Sequence, residues 1–402
     1  MPLESGFIKK TGIESALDIF LNSFEPSGKV ETVKLEHADY RVLSKDVVSP
    51  RDVPHYDRSA MDGFAVKASD TFGSSKDAGV FLKLTEKDRM IEGECRQVHT
   101  GSPIPEGADA VVMIENTEPA GPEIEVLGQV SPGQNIGFKG EDVKKGDVVF
   151  CKGRQLKPSD AGLLASMGFT EVEVYAKPRV MIIPTGEEIV KRGITPGPGQ
   201  MNESNGVMNY LYVKRYGGEP TIHDIVSDKK ELLTEALIEG IGYDLIVTTG
   251  GSSVGKRDLI ADVVSSMGKV LVHGVAIKPG KPVALGYVEH GGKRTPIVCL
   301  PGYPAACAID SMVFADPAVK KLGHMPQSKY RTEKAVLTRK IFSEAGFRSY
   351  TRVILEDGKA TPLRTKGAGI LSSVSQADGY VIIPEDVEGY EAGDQVEVTY
   401  LE

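Results

Sequence analysis

From Arg179 to Met267, short apolar runs alternate with stretches whose apolar residues recur at helical spacing. Arg179 to Ile183 reads as a buried strand and Ser204 to Tyr216 as a helix. Thr221 to Val226 and Lys229 to Glu239 repeat the pair, and Asp244 to Val247 and Leu259 to Met267 repeat it again. Strands that are apolar on both faces need cover on both faces, so this rhythm predicts a parallel sheet sandwiched between helices. Ligands of such sheets bind beyond the carboxyl ends of the strands. The turns at those ends therefore carry the functional reading.

The turn after Val247 is the most informative of them. Gly250 and Gly251 cut off the strand, Ser252, Ser253 and Gly255 follow, and Asp258 stands before the next helix. A strand, a glycine-rich turn and a helix N-terminus present free backbone N–H groups to a ligand, and phosphate suits them. The turn matches neither the dinucleotide fingerprint nor the Walker pattern, and a plain strand-to-helix turn has the same composition. Acidic residues fall at the strand ends by the same reading: Glu187 and Glu188, then Asp228, then Asp258. Asp228 with Glu231 fits a capping box, and Asp258 fits an N-cap. A carboxylate that caps a helix can also ligate, and convergent carboxylates beside a phosphate turn suit Mg²⁺. Farther on, Lys278 and Lys281 flank a Pro279, Gly280 corner, and Pro301 to Pro304 precedes a helix over Ala305 to Phe314. These are either solvated surface loops or the two sides of an anion pocket.

The rest of the chain reads differently. At 402 residues it exceeds one ordinary core. Residues 1–177 read as a linker and β-rich region with a compact β part at about 50–150, residues 178–328 as the α/β domain, and residues 329–402 as a small β domain. Ile13 to Phe24 is an amphipathic helix with Glu14 and Asp18 on its polar side. Asp57, Arg58, Ser59 and Asp62 crowd a loop that Pro50 and Pro54 keep extended, which is either a solvated turn or a substrate-contacting one. Thr100 and Gly101 sit on a proline-rich turn. In the last domain, Arg348, Arg352, Ser372 and Ser373 are placed to reach a ligand of the preceding one.

A net charge of -9 without a long basic run argues against an extended nucleic-acid footprint or a polybasic membrane anchor. The four cysteines form no CxxC pair, so neither a disulfide framework nor a cysteine-based zinc site is expected. With no leader pattern and no apolar run of membrane-spanning length, a soluble cytoplasmic protein is expected.

In order along the chain stand YDRSAMDG, HTGSPIPEGADAVV, PTGEE, TGGSSVG, AIKPGKP, LPGYP and GILSSVSQADGYVIIPE. Together they resemble the molybdopterin molybdenumtransferase (MoeA) family, related to the gephyrin E domain. The resemblance implies a multidomain α/β plus β fold: a central doubly wound α/β molybdopterin-binding domain, a β-rich N-terminal region and a C-terminal small β-barrel. It implies an enzyme of molybdenum cofactor synthesis that inserts molybdate into adenylylated molybdopterin and releases AMP in a Mg²⁺-dependent reaction. It also implies a homodimer, with a molybdopterin adenylyltransferase as a further partner. Carried over by motif, Asp57, Thr100, Glu188, Asp228 and Asp258 are the catalytic positions, with Glu188, Asp228 and Asp258 as metal ligands. Gly250, Gly251, Ser252, Ser253, Gly255, Lys278, Lys281, Pro301, Gly302, Arg352 and Ser372 are the substrate-binding positions on the same basis.

The chain also departs from the family pattern. Where TGGVSVG and an acidic residue are usual it has Ser252 and Lys256; LPGNPVS is here LPGYPAA, with Tyr303 and Ala306. A lysine expected before the KPGKP corner is replaced by Gly274, with His273 beside it. A tungstate-inserting relative and a non-catalytic scaffold of the same fold are the alternatives.

Overall fold

A computed structural model describes residues 11–251, 258–363 and 369–400. Two compact units divide the chain: Met1–Glu31 together with Tyr175–Glu402, and Thr32–Val174. Helix α1 (Ile13–Leu21) carries its apolar stripe as expected, and Ile13, Ala16 and Phe20 are buried in one cluster with Val180, Val272, Leu285 and Leu322. The start of the chain thus belongs to the α/β core rather than to the β-rich segment that follows it. The helix stops three residues short of Phe24, where Lys321 Nζ donates to the Leu21 carbonyl at 2.6 Å. A cation is well placed at a helix C-terminus. Glu14 pairs with Arg348 Nη1 at 2.6 Å, and Arg348 Nη2 reaches Glu385 at 3.0 Å, so two carboxylates hold this guanidinium and raise its pKa against burial.

In the second unit, six strands form one sheet: β1 (Gly63–Val66), β2 (Val80–Leu84), β3 (Glu94–Val98), β4 (Ala110–Met113), β5 (Thr117–Ala120) and β6 (Glu123–Val126), in the order β4-β1-β3-β2-β6-β5. Phe64, Leu82, Cys95, Val112 and Val126 fill its core. A separate core of Leu43, Phe150, Leu156, Leu164 and Met167 lies against α2 (Pro158–Ser166). Asp160 closes the start of α2 by accepting from Lys157 N at 3.0 Å, and Arg154 grips both its oxygens at 3.0 and 2.9 Å.

The first unit resumes with β7 (Arg179–Pro184), α3 (Asn205–Tyr216), β8 (Glu219–Ile222), α4 (Lys230–Gly240), β9 (Leu245–Thr249), α5 (Leu259–Met267), β10 (Gly268–His273), β11 (Ile277–Lys278), β12 (Ala284–His290) and β13 (Lys293–Leu300). Its six-stranded sheet runs β8-β7-β9-β13-β12-β10. The first four strands in that order are parallel, and β12 pairs antiparallel with both β13 and β10. Strand β8 ends earlier than Val226, and its Pro220 is tolerated because β8 is the sheet edge. After β13 the helix expected over Ala305 to Phe314 is α6 (Pro304–Asp310) followed by a π-helical turn (Ser311–Ala315), and α7 (Asp316–Leu322) continues beyond it. Pro317 has no N–H to continue an α-helical ladder, and the widened turn precedes it.

The C-terminal part of this unit is a closed barrel of β14 (Thr332–Leu337), β15 (Arg348–Glu356), β16 (Lys359–Pro362), β17 (Gly379–Ile383) and β18 (Gln395–Tyr400). Pairing runs β15-β16-β14-β18-β17 and returns from β17 to β15. Asp357 and Gly358, both at positive φ, make the two-residue turn between β15 and β16. Strand β11 of the lysine corner adds to β15 in parallel, Ile277 opposite Arg348 and Lys278 opposite Ser349. Among the described residues, no helix is long and apolar enough to cross a membrane.

Candidate active site

Three strands of the parallel sheet end side by side, and their turns bring PTGEE, TGG and LPGYP together. Thr185 N donates to Thr249 O at 2.9 Å, and Gly250 N donates to Leu300 O at 3.2 Å. Gly250 has φ of +104° and lies so close to Thr185 that an added Cβ would run into the Thr185 carbonyl oxygen. A Cβ on Gly302 would stand 3.5 Å from the Gly250 Cα, so the LPGYP turn packs directly on the glycine turn. At Gly250 only a residue without a side chain allows so close an approach. Thr185 Oγ1 is buried beside it without a hydrogen-bond partner among the described residues. Ser252, Ser253 and Gly255 lie outside the described residues.

The acidic positions separate into two places. Glu188 is exposed after β7, and Asp228 lies near it after β8. The capping reading of Asp228 does not hold: α4 starts with Lys229 at its N-cap and no side-chain cap. Instead, Asp228 Oδ1 is buried without a partner among the described residues. Burial, then the charges of Glu188 and Glu187, hold the Asp228 carboxyl above its ordinary pKa. Asp258 does cap α5, accepting from Ala261 N at 3.2 Å, and its other oxygen meets His273 Nε2 at 3.0 Å. That hydrogen bond, with the Asp258 charge, keeps the imidazole above its ordinary pKa. Among the described residues, no three His, Cys, Asp or Glu side chains stand close enough to hold one ion.

His273 could not be assigned this role from the sequence, because β10 brings it back to the start of α5 only in the fold. Asp258→Asn is expected to keep the helix cap and to return the His273 pKa toward that of a free imidazole. An NMR titration of the imidazole checks it, with far-UV circular dichroism to confirm the helix.

The lysine corner is more occupied than its sequence suggests. Lys278 Nζ pairs with Glu344 and lies 4.5 Å from the Phe347 ring centroid, so its charge is already engaged. Lys281 is half-buried, and its carbonyl accepts from Val275 N at 3.1 Å, which fixes the corner's backbone. Between the lysines, Gly280 has φ of +127° and is packed on Asp310, whose carboxyl fills the space a side chain would need. Asp310 is fully buried, neither oxygen has a hydrogen-bond partner among the described residues, and burial raises its pKa well above the ordinary carboxylate value. Sequence reasoning missed Asp310, although a lone carboxylate in the apolar run AACAIDSMVFA is a readable signal. It also missed Asn205, whose Nδ2 donates to the Gly302 carbonyl at 2.8 Å and steadies the LPGYP turn.

From the barrel, Arg352 is buried on β15 opposite Tyr380, and burial lowers its pKa. Ser372 is exposed at the start of α8 (Ser372–Ser375), which packs through Val374 on Ala305 and Ala308 of α6. Pro301 is buried and Gly302 exposed on the same turn.

In the second unit, Asp57 and Thr100 are both exposed on adjoining loops. Asp57 Oδ1 accepts from Lys139 N at 2.7 Å, and Ile104 N donates to the Asp57 carbonyl at 3.0 Å. Thr100 N donates to Asp62 Oδ1 at 2.8 Å, which lowers the Asp62 pKa. Tyr56 Oη binds the Gly101 carbonyl at 2.9 Å, so the two loops are held as one surface.

Comparison with known proteins covers the whole of this architecture. Residues 11–168 match the MoeA N-terminal region (domain I and II), residues 181–321 the "Probable molybdopterin binding domain", and residues 334–401 the MoeA C-terminal region (domain IV). A molybdopterin biosynthesis protein of Methanocaldococcus jannaschii is 37% identical over 385 residues, covering 93% of this chain and 92% of that one. Molybdopterin molybdenumtransferase 2 of Mycobacterium tuberculosis is 33% identical over 387 residues, covering 91% of this chain and 94% of its own length. The crystal structure of a MoeA protein from Pyrococcus horikosii superposes with a TM-score of 0.83 at 35% identity, covering 98% of this chain and all of that one. With all three regions matched in order and full-length relatives above 30% identity, the chain belongs to the molybdopterin molybdenumtransferase (MoeA) family.

Proposed function

We propose that the protein is a molybdopterin molybdenumtransferase that inserts molybdate into adenylylated molybdopterin and releases AMP. The observation that carries this reading is the meeting of PTGEE, TGG and LPGYP at one edge of the sheet, with Asp228 left unpartnered nearby. The backbone at Gly250 and Gly251 lets a phosphate approach without meeting side chains. Lys281 and Arg352 supply positive charge for an oxyanion, and Lys278 supports the corner through Glu344.

The acidic group fits Mg²⁺. Asp228 is destabilised as an anion by burial and by Glu188, and a divalent cation relieves both terms. Glu188 and Asp228 would hold the ion together with oxygens of the substrate, whereas Asp258, which caps α5 and meets His273, does not stand with them as a third ligand in this structure. Bound there, Mg²⁺ neutralises charge on the adenylyl phosphate. The chain's own residues bind and orient: the glycine turn receives the phosphate, and the lysine corner holds the oxyanion. On this reading the protein is a cytoplasmic homodimer supplied by a molybdopterin adenylyltransferase, and sedimentation of the active enzyme checks the dimer.

The test is AMP release on mixing purified protein with adenylylated molybdopterin, Mg²⁺ and molybdate, with tungstate run in parallel. No AMP under any metal condition removes the proposal. Within it, Lys281→Met or Arg352→Met is expected to raise the molybdate concentration at half-maximal rate by on the order of tenfold, the loss of one charge-assisted contact. Affinity for the adenylylated pterin should change less. If pterin binding collapses while the molybdate dependence stays in place, these cations belong to the phosphate instead.

A further inference from the structure

Tyr303 is 66% exposed, although the turn that carries it is fixed from several sides. Pro301 is buried before it, and Pro304 opens α6 after it. Asn205 holds the Gly302 carbonyl at 2.8 Å, and Cys307 N closes on the Tyr303 carbonyl at 2.9 Å. The ring itself lies along the backbone of Gly369, where an added Cβ would stand 3.4 Å from Cδ1 and 3.6 Å from Cε1. The next residues, Ile370 and Leu371, are also open to solvent, at 38% and 36%.

Single exposed apolar side chains need no explanation. Here an aromatic ring on a rigid turn is grouped with the apolar pair Ile370 and Leu371, and Gly302 beside it packs on Gly250 of the glycine turn. An apolar surface next to a phosphate-ready backbone suits a ligand with a flat ring at one end and a phosphate at the other.

We propose that Tyr303 is the platform on which the flat heterocycle of the phosphorylated substrate stacks, with Ile370 and Leu371 as its apolar rim. The proposal rests on the function given above and adds a residue that sets substrate affinity. The substrate carries two such rings, adenine and pterin, and the experiment separates them.

AMP and molybdopterin are titrated separately into wild type, Tyr303→Phe and Tyr303→Leu, and AMP release is measured for each protein. Loss of base–aromatic stacking predicts that Tyr303→Leu weakens one ligand by on the order of tenfold, while Tyr303→Phe stays within about twofold of wild type. The ligand that weakens names the ring. In turnover, the KM for adenylylated molybdopterin should rise by the same factor, with kcat moved by less than about twofold. Wild-type binding of both ligands with Tyr303→Leu unchanged overturns this inference alone. A wild type that binds neither ligand overturns the proposed function and this inference with it.

Discussion

Gly250→Ala is expected to lower the melting temperature of the protein by about 6–10 °C and to abolish AMP release. Two costs add at this residue. A side chain at φ of +104° is disfavoured in itself, and its Cβ would run into the carbonyl oxygen of Thr185. The obstacle is backbone, and it cannot turn aside: Thr185 N is bonded to Thr249 O, so the two strand ends would have to part. Together these come to about 3 kcal/mol, which for a unit of this size corresponds to the shift given. Gly291→Ala is the control. Its φ of +59° carries the conformational cost, but nothing lies within 4 Å of the added atom, so about 1 kcal/mol is expected. Calorimetry on the two variants decides, and equal melting temperatures would refute the collision.

The second large effect is one of pH. Asp310 is fully buried without a partner, and its pKa is raised well above the ordinary 3.8. In the unfolded chain the carboxyl ionises near its ordinary value, while in the folded protein burial holds its proton to higher pH. Its contribution to stability is therefore complete below about pH 4 and is lost as pH rises toward the native pKa, at about 1.4 kcal/mol per pH unit. Asp310→Asn cannot ionise and escapes this loss. The variant should gain on wild type steadily between about pH 5 and about pH 7, by about 3 kcal/mol over that span if the native acid stays protonated throughout. Denaturant unfolding of both proteins at several pH values measures the difference. A difference that does not change with pH would mean that the carboxyl is already ionised or finds a partner.

The parts of the fold legible in the sequence are those whose physics is local. Helix α5 spans Leu259–Met267, as its apolar spacing predicts, because that stripe has a single buried face. The hairpin turn at Asp357 and Gly358 is equally local, since few residues other than Asn, Asp and Gly accept positive φ there. The reversed strand of the α/β sheet was not legible. Strand β12 is as apolar as its parallel neighbours, and period cannot tell direction; only Gly291 and Gly292 at the turn into β13 mark a hairpin. In the candidate site, positions at strand ends followed from the alternation. Pairings did not: Asp258 with His273 and Lys278 with Glu344 join residues 15 and 66 positions apart. The Asp228 to Glu231 spacing misled because α4 begins one turn-residue later than a capping box requires, leaving the carboxylate for another use.

Helix α1 and the core that receives it lie far apart in sequence: Leu21 accepts from Lys321 across 300 residues, with all of Thr32–Val174 in between. During synthesis the intervening unit has its whole sequence long before α1 has its partners. At about 5–20 residues per second, the apolar face of Ile13, Ala16 and Phe20 waits roughly 15–60 s for strands and helices that are still being made. A short amphipathic helix is marginal by itself in water, so for that interval this segment is a natural client for a chaperone. The first helix of the chain is thus expected to be among the last pieces buried, out of step with the order in which the chain is made.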